Sequence, residues 1–342
     1  KWESTVQKDL GLDFSFMRGR LGGTFGYYHK VTDGTLLNMT PAPSSSYSTV
    51  VFNIAKIRNQ GLEFDIHGDF IRKKDFRWTG NLNISRNVSK VLDINGGPFS
   101  DPNDRDAMNL GTSVVKEGEP LGLLYGRVAT GIIKTQAQLE AAREEFSLWT
   151  IFDPYLNLGD IAYEYEDGFW KEDVIGHATP DFFGGYTNTI NWNRFTLTAL
   201  FTFSYGNDLI YQKDVSDSGM SSLANRGTRV LNHYSEDNTS SNRPRSMWAT
   251  TYMLSSLNVY DASYLKLKTL SLSYNLPESI CRKVRIKSAS VYGTATNVFT
   301  ITSYPGPDPE VSDDPTSVIG GGRDVSTYPT VKSYTFGIRI NF

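Results

Sequence analysis

The last ten residues, Ser333 to Phe342, constrain the fold more than any other stretch. Tyr334, Phe336, Ile338, Ile340 and Phe342 share one parity, and Ser333, Thr335, Gly337, Arg339 and Asn341 share the other. Successive side chains of a strand point to opposite faces, so this segment reads as a strand with one apolar and one polar face. Two architectures accept such a strand. In a β-sandwich the apolar face meets a second sheet in a dry interior. In an outer-membrane β-barrel it meets lipid, and the polar face borders water. This segment alone leaves both open.

The same alternation recurs upstream. Leu10, Leu12, Phe14 and Phe16 alternate with Gly11, Asp13 and Ser15. A tight turn at Met17–Arg20 leads into Leu21, Gly23, Phe25, Tyr27, His29 and Val31 on one face. Leu62, Phe64, Ile66, Gly68 and Phe70 alternate with Glu63, Asp65, His67 and Asp69, and a turn at Arg72–Asp75 leads into Phe76–Ser85. Tyr186–Trp192 and Phe195–Tyr205 form another pair about Asn193 and Arg194. In the stretch Leu257–Asn275 the apolar parity slips from Leu265 and Leu267 to Leu270, Leu272 and Tyr274. One extra residue near Thr269, a β-bulge, explains the slip. Ser279–Val284 reads as a helical turn, Arg285–Thr302 as a strand, and Gln136–Phe146, rich in Ala and Glu, as a helix.

The connections favour the second architecture. Short links (17–20, 71–75, 192–194 and 276–284) alternate with long ones (33–55, 93–182, 206–254 and 303–329). Outer-membrane barrels have short turns on the periplasmic side and long loops outside, whereas a sandwich has no reason to sort its loops. The reading is therefore all-β: a transmembrane antiparallel β-barrel segment of about ten strands with long extracellular loops. Strict alternation leaves no wall position for the strand-like piece Leu121–Ile133. It is assigned to the second outer connection, paired with Asp160–Tyr165.

Composition removes other classes. A net charge of −3 over 342 residues gives no nucleic-acid footprint. No apolar run reaches the length of a membrane-spanning helix, which a barrel does not need. The single cysteine, Cys281, excludes an internal disulfide framework and reads as a small packed residue. His29, His67, His177 and His233 are scattered, and no zinc-protease, nucleophile-elbow or phosphate-loop pattern occurs. The expectation is a protein that is not an enzyme and carries no cofactor or metal.

If Leu62, Phe64, Ile66 and Phe70 face lipid, then Glu63, Asp65, His67 and Asp69 face the lumen. A register shift of one residue would bury three carboxylates in hydrocarbon, which is penalised. These four are either a polar wall that touches substrate or a plain hydrated surface. Trp78 and Trp192 lie beside proposed periplasmic turns, where aromatic girdles sit. Trp149, Trp170 and Trp248 lie in outer loops, where their rings suit stacking on sugars or peptides, or packing within the loop.

Several stretches, in one order along the chain, carry a family resemblance. They are Asn59–Phe64 (NQGLEF), Glu117–Gly126 (EGEPLGLLYG), Gly176–Gly185 (GHATPDFFGG), Asp261–Pro277 (DASYLKLKTLSLSYNLP), Thr296–Phe299 (TNVF), Tyr304–Glu310 (YPGPDPE) and the terminal Phe. Together they resemble the SusC-like (RagA/SusC) TonB-dependent outer-membrane transporters of Bacteroidetes. That resemblance implies a barrel of about 22 strands, of which residues 1–342 are the C-terminal part, with the plug domain and TonB box absent from this chain. It implies TonB-driven import of a glycan or oligopeptide, a SusD-like lipoprotein partner, outer-membrane lipid around the wall, and Phe342 as a barrel-assembly signal. Many family members carry an alternating Asp/Asn calcium loop. In Gly159–Asp173 that pattern is degraded, and no metal is assigned. The alternatives are a passive porin-like barrel and a soluble secreted β-sandwich for adhesion or glycan binding.

Overall fold

The computed structural model describes residues 2–39, 50–94, 106–145, 156–219, 225–246, 253–314, 317, 319, 321–325 and 327–342. Nine strands form one sheet: β1 (Ser4–Phe16), β2 (Leu21–Met39), β3 (Val50–Arg72), β4 (Phe76–Asp93), β5 (Phe182–Trp192), β6 (Phe195–Tyr205), β7 (Tyr264–Asn275), β8 (Ser288–Thr302) and β9 (Ser333–Asn341). Each pairs antiparallel with its neighbours in the chain, in the order β1 to β9. Sequence expects about ten strands; the four short and four long connections join nine. The sheet is open, with β1 and β9 at its edges.

The ladders show why alternation is legible. Leu12, Phe25, Phe64, Ile84, Gly184, Phe203, Leu265 and Ile301 follow one another across the pairing. One step along, Asp13, Thr24, Asp65, Asn83, Gly185, Thr202 and Lys266 form the neighbouring row on the opposite face. The bulge falls between Leu267 and Thr269, leaving Lys268 as the extra residue opposite β6. It returns Leu270, Leu272 and Tyr274 to the apolar face while Lys266 and Lys268 stay on the polar one.

The apolar face is bare. Leu10, Leu272, Phe336 and Ile338 are 67%, 50%, 82% and 68% exposed. No second sheet covers it among the described residues. The buried clusters lie in the outer connections and the upper ends of strands. One joins Ala55, Ile57 and Val91, high on β3 and β4, to Met108, Val115 and Leu121. Others centre on Ile132, Ile161 and Tyr234, and on Leu209, Ala262, Tyr304 and Val311. The dry two-layer interior required by a β-sandwich is absent from the described residues.

Aromatic residues mark both ends of this face. Trp192 and Phe195 stack at 6.3 Å beside the β5–β6 turn, and Phe182 and Tyr205 stack at 5.1 Å at the other end. The ten steps from Phe182 to Trp192 span roughly 33 Å at ~3.3 Å per residue. At the ~40° strand tilt of outer-membrane barrels this projects to ~25 Å, the height of their apolar band.

Several boundaries differ from the sequence reading. The first long connection is mostly strand: β2 runs on to Met39 and β3 begins at Val50. Here the hairpin carries no sustained apolar parity, so periodicity gives no signal. Its Pro/Ser-rich tip lies outside the described residues. Leu257–Ser263 is not part of β7; a 3-10 turn, Ser256–Asn258, precedes a short strand, Val259–Asp261, that joins an outer sheet. The expected pairing of the Leu121–Ile133 piece holds for Ala129–Ile132, which pairs with Ile161–Tyr163. Leu123–Arg127 instead joins a four-stranded sheet with Ala107–Asn109, Ser113–Lys116 and Glu172–His177. The α-helices among the described residues are α1 (Gln136–Glu145), α2 (Gln212–Gly219) and α3 (Glu278–Lys283), and Cys281 is buried in α3.

Candidate functional site

The polar face of the sheet is built by strand parity and held by short side-chain contacts. Glu63, Asp65, His67 and Asp69 occupy alternate positions of β3, opposite Leu62, Phe64 and Ile66 in parity. Thr24 Oγ1 donates to Asp13 Oδ1 at 2.8 Å, and Asn81 Nδ2 donates to Asp65 Oδ2 at 3.2 Å. His67 Nδ1 lies 3.3 Å from Asp65 Oδ1. Arg77 donates through Nε and Nη2 to Asp69 at 2.8–3.0 Å, a forked contact. Arg20, His67, Asp69, Arg77, Asn81 and Thr187 line a hollow of about 400 Å³ at the short-turn end. Towards β9 the charges give way to hydroxyls, with Ser271 and Thr294 in contact at 2.9 Å and Thr296 and Ser333 at 2.6 Å.

Of the three loop tryptophans, Trp170 is described and half-buried. It sits opposite Tyr165 in a small hairpin, and the Arg127 guanidinium lies 4.2 Å from its ring centroid, a cation–π contact. Trp149 and Trp248 lie outside the described residues. Two carboxylates of the acidic stretch near Asp167 meet cations. Lys171 Nζ donates to Glu164 at 3.1 Å, and Arg245 Nε donates to Asp160 at 2.7 Å. Among the described residues no three His, Cys, Asp or Glu groups converge as metal ligands.

Sequence reasoning missed the charge clusters that bind the outer connections together. Asp214, in α2, accepts from Arg243 at 2.6 Å, Tyr260 at 2.6 Å and Arg229 at 3.3 Å. Lys266, 1% exposed on β7, donates to Asp308 at 2.9 Å and Glu310 at 2.5 Å. Lys268 donates to the same Glu310 at 2.8 Å. Burial raises the Asp308 and Glu310 carboxyls, but the Thr330 hydroxyl and Lys266 at Asp308, and the two lysines at Glu310, outweigh it. Both carboxyls end below their ordinary values. Burial also pushes the loop phenol of Tyr163 up to about 12. A parity pattern reports which face a residue occupies; it does not report which residue 42 positions away will meet it.

A family model described as "TonB dependent receptor-like, beta-barrel" matches residues 1–199. TonB-dependent receptor P3 of Formosa agariphila is 32% identical across the whole chain, which covers 34% of that relative. The receptor SusC of Bacteroides thetaiotaomicron is 26% identical, again across the whole chain and 32% of its own length. The chain thus spans about a third of the curated relatives it matches. The solved RagAB peptide transporter superposes over the whole chain with a TM-score of 0.78 at 23% identity, covering 36% of that structure's chain. At this identity the superposition speaks for the fold.

Proposed function

Because the chain belongs to the TonB-dependent receptor barrel family and is SusC-like, we propose that residues 1–342 form the C-terminal part of the wall of an outer-membrane importer. The observation that carries this reading is the bare apolar face on one side of a sheet whose other side is polar and charged. Lipid is the solvent that accepts the first, and a wet lumen accepts the second. Glu63, Asp65, His67 and Asp69 then border the transport path, and the four long connections stand on the extracellular side.

Import is driven by TonB through parts of the polypeptide outside this chain, and a SusD-like lipoprotein docks on the outer connections. The cargo is a nutrient of the glycan or oligopeptide class. The peptide cargo named for the RagAB structures supports the oligopeptide branch without deciding it. Trp149, Trp170 and Trp248 stay the loop candidates for cargo contact, with packing within the loop as the other role of such rings.

Cysteines placed singly at positions 64 and 65 in intact outer membranes test the facing. A water-soluble maleimide is expected to reach position 65 in permeabilised membranes and not position 64; labelling at 64 alone overturns the reading. Growth on peptide or glycan as sole nutrient, with and without TonB, tests the driving force. Growth unaffected by loss of TonB, together with steady ion conductance in planar bilayers, assigns the chain to a passive pore.

A further inference from the structure

Two segments far apart in sequence, Tyr264–Lys268 at the outer end of β7 and Asp308–Glu310 in the last long connection, meet in a single ionic cluster. Lys266 Nζ sits between Asp308 Oδ1 and Glu310 Oε2. Lys268 Nζ donates to both oxygens of Glu310, at 3.0 and 2.8 Å, and the Tyr264 hydroxyl donates to Glu310 at 3.1 Å. The Thr330 hydroxyl, from the far end of the same connection, donates to Asp308. The Glu310 amide donates to Asp308 at 3.0 Å. Two cations face two carboxylates, so the cluster is neutral. Lys266 is almost wholly buried, so losing either partner strands a charge away from water.

The last connection is also bound to the third one. Arg323–Asp324 pairs in parallel with Ile210–Tyr211, and Asp208–Ile210 pairs with Val259–Asp261. The Tyr304 hydroxyl donates to the buried Asp324 at 2.9 Å, and Tyr304 packs with Leu209, Ala262 and Val311. Hydrogen bonds and a small core thus join the two connections. The lysine cluster fastens one of them to the sheet by charge.

We propose that the described parts of the third and fourth long connections form one rigid body and that Lys266, with Lys268, Asp308 and Glu310, is the ionic latch that fixes this body to the barrel wall. Neither connection then works as an independently moving lid; they are held together or released together. This holds whether or not the barrel is an importer, because it rests on contacts within the chain.

Hydrogen–deuterium exchange in detergent, on the longer polypeptide proposed to carry this chain, tests it. Lys266→Met is expected to speed exchange at 304–314 by at least roughly tenfold, since breaking a buried ion pair is strongly destabilising. Exchange at 208–211 and 259–261 is expected to rise with it, while β5 and β6 keep their protection. If Lys266→Met fails to fold, the loop-side double variant Asp308→Asn/Glu310→Gln supplies the same readout with the wall strand intact. Glu278→Gln, which breaks the exposed Glu278–Arg282 pair, should change none of these segments. Unchanged exchange at 304–314 overturns the latch. Loosening of 304–314 with 208–211 still fully protected overturns the single body.

Discussion

Phe201 and Thr198 lie three residues apart on β6 and stand on opposite faces of the sheet. Placing the same charge at each separates lipid from water. Arg at a lipid-facing position near mid-depth costs roughly 2–4 kcal/mol, and one facing the lumen costs little. In the longer polypeptide proposed to carry this chain, Phe201→Arg is therefore expected to lower unfolding stability in lipid vesicles by that amount, measured in denaturant. Thr198→Arg should fall within about 0.5 kcal/mol of the parent, as ordinary surface substitutions do. Equal losses at the two positions would contradict the two-sided wall. A second residue-scale case is Asn193, whose φ of +52° lies in the left-handed region within the tightest turn of the sheet. That conformation costs an ordinary L-residue roughly 1–2 kcal/mol. Asn193→Val should lose about that much by the same measurement, and Asn193→Gly should not.

The strands themselves were legible because each wall residue answers to one of two solvents, and that choice repeats every second position. Even the bulge at Lys268 is written as a parity slip, since Leu270 and Leu272 must return to the apolar side. Legibility ends where both sides of an element meet water or protein. The upper parts of β2 and β3 go on pairing as far as Met39 and Val50 with little periodicity to announce them. The pocket that buries Met108, Val115 and Leu121 is assembled from short pieces with no period of their own. The ionic latch joins residues whose motifs are visible separately but whose meeting is a property of the folded loop. Its pH dependence follows from the depressed carboxyls of Asp308 and Glu310, whose ordinary values are 3.8 and 4.5. A carboxyl lowered on folding contributes stability above its unfolded value and loses it as pH falls through the folded one. Protection of 304–314 should therefore persist through neutral pH and begin to fall only once pH drops below the ordinary carboxylate range. Hydrogen exchange, corrected for the intrinsic pH effect, checks this against Lys266→Met, in which the fall should be blunted.

At the scale of the whole molecule, the decisive feature is that the sheet does not close. β1 and β9 each present one edge with no partner strand among the described residues. Along such an edge about half the residues direct their N–H and C=O groups outward. In hydrocarbon each unsatisfied group costs several kcal/mol, which is why spanning sheets occur as closed barrels. The two edges together outweigh the few kcal/mol by which a protein of this size is stable. The curated relatives are about three times as long as this chain, so they hold enough sequence to supply the strands that join β9 back to β1. The 342-residue chain expressed alone and refolded into lipid vesicles is therefore expected to aggregate or assemble through its edges. It should give no monomeric band that resists SDS until heated. The longer polypeptide proposed to carry it should give that band. A stable monomer formed by the chain alone, with amides of β1 and β9 protected from exchange along both sides, would mean that its two edges meet each other. That result would turn this wall segment into a small closed barrel.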